Sequence, residues 1–97
     1  MQKVKEAKIA RIVTRVEGDK DNRHVLSAVT LDVDGPETRP RLLFKHEPRK
    51  GLVTPEELER EINACGYTLK NDKHCKFFLE NSADGINELF GKMENLA

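Results

Sequence analysis

The sequence predicts an α+β domain: an antiparallel sheet of about five strands in the chain order βββαββα, with two helices packed on one face. Three observations carry that expectation. Two segments rich in β-branched residues, AKIARIVTRVE (7–17) and RHVLSAVTLDVD (23–34), flank the turn-forming GDKDN and so form a hairpin. Thr54-Pro55-Glu56-Glu57 opens a helix. Near the C-terminus, Ile86, Leu89, Phe90, Met93 and Leu96 recur on one helical face.

A chain of 97 residues holds one core, so residues 1–97 are expected to form a single domain. Apolar residues at 37% and charged residues at 35% describe a folded chain with a heavily charged surface rather than a disordered one. The net charge of zero conceals an asymmetry. Residues 1–53 carry 12 Lys/Arg against 8 Asp/Glu (+4), and residues 54–97 carry 5 against 9 (−4). The N-terminal MQKVKEAKIARIV interrupts its apolar residues with charges, and no run is long and apolar enough to span a membrane. Gln2 is not a myristoylation site and the final ENLA is not a prenylation box. These features predict a cytoplasmic protein with reduced thiols and no membrane partner.

In the first hairpin, Ala10, Ile12, Thr14 and Val16 are expected to face inward with Val25, Ser27, Val29, Leu31 and Val33. Val16 then sits opposite Val25 and Thr14 opposite Ser27, which leaves Asp19–Asn22 as the loop. A third strand at about 40–46 follows DGPETRP, with Pro40 marking a strand entrance or an edge. In the first helix, residues 55–65, Leu58, Ile62 and Cys65 lie on one stripe and Gly66 supplies the stop. NACGYTLKNDKHCKFF reads as a second hairpin, with strands at about 67–70 and 74–80. A turn at Asn71–Lys73 places Tyr67, Leu69, Cys75, Phe77 and Leu79 together on the inner face. Ser82 or Asn81 then caps the second helix, residues 83–96, which Gly85 and Gly91 weaken by roughly 1 kcal/mol each.

The reactive side chains do not assemble into a recognisable centre. His74 and Cys75 are neighbours on a predicted strand and so point to opposite faces, while Cys65 and Cys75 read as small buried hydrophobes. Cys-x9-Cys with an adjacent His matches no usual zinc spacing, although two inward thiols on packed elements leave a redox-sensitive pair as an alternative. Gly91-Lys92 lacks the upstream glycine and following Ser or Thr of a phosphate loop. Glu56, Glu57, Glu59 and Glu61 suit a helix N-terminal half on dipole grounds. His24 lies beside Glu17, and His46 is isolated. The sequence therefore predicts no catalytic residues, no metal and no cofactor.

The feature with functional content is the outward face of the first three strands. It collects Ile9, Arg11, Val13 and Arg15 from the first, Leu26, Ala28 and Thr30 from the second, and Arg41, Leu43 and Lys45 from the third. Sheet faces meant only for water alternate more cleanly. We expect a non-enzymatic interaction module whose partner-binding residues are Ile9, Arg11, Val13, Arg15, Leu26, Arg41, Leu43 and Lys45, and whose partner is a second copy or an acidic protein. A nucleic acid, held at its phosphates by Arg11, Arg15, Arg39, Arg41, Lys45, Arg49 and Lys50, is the alternative, though this face offers no aromatic side chain for base stacking. A small enzyme or thiol-sensitive protein is the third class.

Overall fold

Alternation in the N-terminal half and a capped, periodic C-terminal half produce six elements: β1 (Lys5–Glu17), β2 (His24–Val33), β3 (Arg41–His46), α1 (Pro55–Ala64), β4 (Tyr67–Leu69) and α2 (Lys73–Asn95). They are seen in a computed structural model that describes residues 5–34, 39–48 and 51–95. The sheet has four strands in the order β3-β2-β1-β4. β1 pairs antiparallel with β2, and β2 with β3, whereas β4 runs parallel to β1. The class is α+β, but the sheet is mixed and one strand shorter in number than expected.

The first hairpin has the expected register, with Val16 opposite Val25 and Thr14 opposite Ser27. Gly18, at φ 96°, turns the chain out of β1, and the Asn22 N–H donates to the Asp19 carbonyl at 3.0 Å to close the turn. A Cβ on Gly18 would stand 2.3 Å from the Asn22 carbonyl oxygen, so that position accepts only glycine.

Farther along, the ladder slips between Ile9 and Arg11. Ala10 is the extra residue of a bulge, which reverses the alternation on its N-terminal side. Ala7 and Ile9 consequently point inward, opposite Val33 and Leu31, and both are buried. Ile9 is therefore a core residue and not part of the outward face, and Ala10 is not the inward residue that strict alternation makes it. Val16, expected inside, is 39% exposed at the end of the sheet.

α1 begins as its residues dictate: the Glu57 N–H donates to Thr54 Oγ1 at 3.2 Å, with Pro55 in the first turn. Leu58 and Ile62 form its buried stripe, and Gly66, at φ 96°, ends it. Cys65, expected to be buried, is the C-cap and is exposed.

The largest departure lies after β4. Residues 74–80 are not a strand; they are the first turns of one continuous helix that also contains the expected helix at 83–96. Asp72 caps it, its Oδ1 accepting the Cys75 N–H at 2.8 Å. Cys75, Leu79, Ala83, Ile86, Phe90 and Met93, at spacings of four and three, are all buried, while Phe77 is 62% exposed. With no partner strand supplied from 74–80, β4 instead pairs with β1, where the Lys70 N–H donates to the Ala7 carbonyl at 2.9 Å.

α2 packs on β1 and α1, burying Ile9, Leu31, Ile62 and Ile86 between sheet and helices. Asn87 fastens the β3–α1 connection to α2: its Oδ1 accepts the Val53 N–H at 2.8 Å and its Nδ2 donates to the Val53 carbonyl at 2.9 Å. The expected roles of Arg49, Lys50, Leu96 and most of the DGPETRP turn fall outside the described residues.

Candidate interaction surface

Because the helices cover one side of the sheet, the other side is open, and the register arranges it as a grid. Arg11, Thr30 and Arg41 form one row, Val13, Ala28 and Leu43 the next, and Arg15, Leu26 and Lys45 a third. Apart from Ile9, which the bulge removes, every predicted partner-binding residue lies on this face. Val13 is 43% exposed and Leu43 59% exposed, while Ala28 between them is half-buried. Strand spacing sets Val13 and Leu43 about 10 Å apart, so the central row is a short apolar groove floored by Ala28.

Charge flanks that groove on both sides. Arg15 is engaged with Glu17 at 2.5 Å and Lys45 with Glu47 at 3.7 Å, both exposed pairs of little energetic weight. Among the described residues, Arg11 and Arg41 enter no ion pair. Lys8 and Arg39 extend the basic character past the bulge, where Asp32 sits opposite Lys8 and pairs with Arg39 at 2.6 Å. Lys8 was not legible as a member of this face without the bulge. An arrangement of this kind offers dispersion contact at the centre and charge-assisted hydrogen bonds at the periphery.

A second arrangement, which no local sequence pattern announces, lies on the inner side. Ser27 Oγ and His46 Nε2 share a 2.6 Å hydrogen bond. His46 looks isolated in the sequence because its partner is 19 residues away and becomes a neighbour only once β3 is set beside β2, with Val25 opposite His46. Ser27 is 0% exposed and His46 6%, which leaves no space for a substrate at the hydroxyl. The pair is a satisfied polar contact inside the core.

Burial pushes the His46 pKa below its ordinary 6.5, and the nearby Glu57 carboxylate opposes that shift only partly. The unfolded chain therefore takes up the proton at a higher pH than the folded one. Stability should be fully present above about pH 6.5 and decline as pH falls below it. Ser27→Ala is expected to cost about 1–3 kcal/mol by leaving a buried ring nitrogen without its partner. Denaturant unfolding of wild type and His46→Gln, followed from about pH 7.5 to about pH 5, should show a shallower acid-side loss in the variant. Parallel pH profiles would exclude His46 as the titrating group.

The two thiols are free and differently placed. Burial raises the Cys75 pKa, keeping it a neutral thiol, and Asp72 beside it is held below the usual carboxylate range by the Cys75 N–H. His74 is exposed where Cys75 is buried, and its ring meets Phe78 edge-on at a ring separation of 4.8 Å. They do not share a ligand position. Among the described residues no group of three or more His, Cys, Asp and Glu converges as a metal set. A shallow cleft of about 330 Å³ between the starts of α1 and α2 sets Lys70 and Lys76 among Glu56, Glu59 and Glu80, charges that largely offset one another.

No helix of the described residues is long and apolar enough to cross a membrane. No family model, curated protein or solved structure matches this chain.

Proposed function

We propose that this chain is a non-catalytic interaction module that binds an acidic protein through the outward face of β1–β3. The observation that supports it most directly is the exposed apolar row Val13–Ala28–Leu43 bracketed by Arg11 and Arg41 on one side and Arg15 and Lys45 on the other. Exposed aliphatic side chains ringed by arginine match the composition of protein interfaces. Face-to-face association of two copies fits less well, because it would bring the basic rows of both copies into one desolvated contact. A nucleic acid would satisfy the charges but leave the aliphatic row against a sugar-phosphate backbone, with no aromatic ring to stack a base.

The test compares a glutamate-rich peptide carrying interspersed valines with a single-stranded oligonucleotide of equal length, and reads affinity and salt dependence. Val13→Glu combined with Leu43→Glu is expected to abolish peptide binding while the unfolding midpoint stays near wild type, since both positions are exposed. For a single-stranded oligonucleotide held by four phosphate contacts, raising salt from about 50 to about 200 mM would weaken binding roughly fiftyfold. Preference for the oligonucleotide with that steep slope would transfer the surface to the nucleic-acid reading. Peptide binding that survives the double variant would remove the face as the site.

A further inference from the structure

Among the described residues no strand pairs with the outer edge of β3, and the ladder geometry identifies which groups that edge presents. The Leu31 N–H donates to the Pro40 carbonyl at 3.0 Å, so those residues form a hydrogen-bonded pair. Such pairs alternate along an antiparallel ladder. Leu42, Phe44 and His46 therefore turn their main-chain groups toward β2, and Arg41, Leu43 and Lys45 turn theirs away from the sheet. Among the described residues none of those outward N–H and C=O groups has a main-chain partner. On the inner side of the same edge, Leu42 and Phe44 are packed against the core yet only partly covered. The edge combines a row of unmet hydrogen-bonding groups with apolar surface beneath and positive charge above.

We infer that β3 accepts an extended segment of an acidic protein as an additional antiparallel strand, with acidic residues facing Arg41 and Lys45, an apolar residue facing Leu43, and apolar residues lying inward beside Leu42 and Phe44. The inference rests on the reading that the partner is acidic and adds how its main chain is held. Strand addition supplies affinity through main-chain hydrogen bonds, and alternate side chains supply selectivity. Charge selects the occupant. A second copy pairing antiparallel along the whole of β3 would centre on Leu43 and set Arg41 of each copy opposite Lys45 of the other; a parallel copy in register would set Arg41 against Arg41. Like charges directly opposed on one face disfavour both arrangements. A glutamate at each of those positions would instead form cross-strand ion pairs.

The probe is a synthetic peptide, Thr-Glu-Val-Val-Val-Glu-Thr, and two versions N-methylated at one valine. The central valine lies opposite Leu43 and turns its N–H to the edge, so methylation there should weaken binding about tenfold or more. The valine beside it turns its N–H away, and methylation there should leave affinity unchanged. Replacing both glutamates by lysine should abolish binding.

Equal affinity of both methylated peptides would mean that no main-chain bond to the edge is made; strand addition would be overturned and the face reading retained. Failure of the unmodified peptide to bind at about 1 mM would overturn strand addition, whereas loss of the longer glutamate-rich ligand on Val13→Glu alone, at a position that strand addition does not touch, would still support the face. A concentration-dependent dimer dissolved by Leu43→Pro, which removes an outward N–H and no bond to β2, would assign the edge to a second copy and overturn the acidic occupant.

Discussion

Ile9→Ala is expected to destabilise the protein by about 2–5 kcal/mol, whereas Val13→Ala should stay within about 1 kcal/mol, although both are aliphatic residues at odd-numbered positions of the same strand. Under strict alternation the two side chains share a face and should behave alike. The bulge at Ala10 separates them, leaving Ile9 1% exposed and packed opposite Leu31, and Val13 43% exposed on the other side. Truncating Ile9 removes methyl groups from among the best-buried side chains of the core and leaves a cavity beneath α2. Val13 has solvent to fill the space. Denaturant unfolding of the two variants side by side decides the matter; equal losses would mean that β1 lacks the bulge and that the outward face contains Ile9 after all.

The same contrast explains how much of the fold was legible. The β1–β2 register could be read because alternation and the GDKDN turn agree on it, and the start of α1 because Thr54, Pro55 and Glu57 are local signals. The bulge does leave a trace in the sequence: Ala7, Ile9 and Ile12 are all apolar, as are Val33, Leu31 and Val29 opposite them, and both sets face one core only if a residue of β1 is skipped. Alternation alone gave no reason to skip it.

The start of α2 is not legible in the sequence for a different reason. Cys75, Phe77 and Leu79 alternate over a short apolar stretch, which periodicity does not distinguish from a helix. The helical stripe becomes clear only when the small Ala83 is admitted as a buried position joining Leu79 to Ile86. Asp72, read as part of a turn, is the cap. Non-local features such as the Ser27–His46 contact and the outer edge of β3 depend on strand order, which no local pattern encodes. The outward grid, by contrast, needed only the hairpin register, and so seven of its eight predicted binding residues keep their place once Ile9 is removed.

Glu80→Pro is expected to cost about 3 kcal/mol or more, and Glu80→Ala almost nothing. In a strand ending at residue 80, a proline there would fall at the border of a loop and be tolerated. In α2 it lies within Lys73–Asn95, on the exposed side between the buried Leu79 and Ala83. It would remove the main-chain bond to residue 76, clash with that carbonyl, and kink the helix where it joins the Cys75–Leu79 contacts to the Ile86–Phe90 contacts. Since small domains are stable by only about 5–15 kcal/mol, a loss of this size should be plain in the denaturant midpoint and in the helical circular-dichroism signal. The effect should reach the binding face as well, because α2 backs β1 from the core side and β1 carries Arg11, Val13 and Arg15 on the other. A proline variant as stable as its alanine counterpart would break α2 into two elements and restore a strand at 74–80.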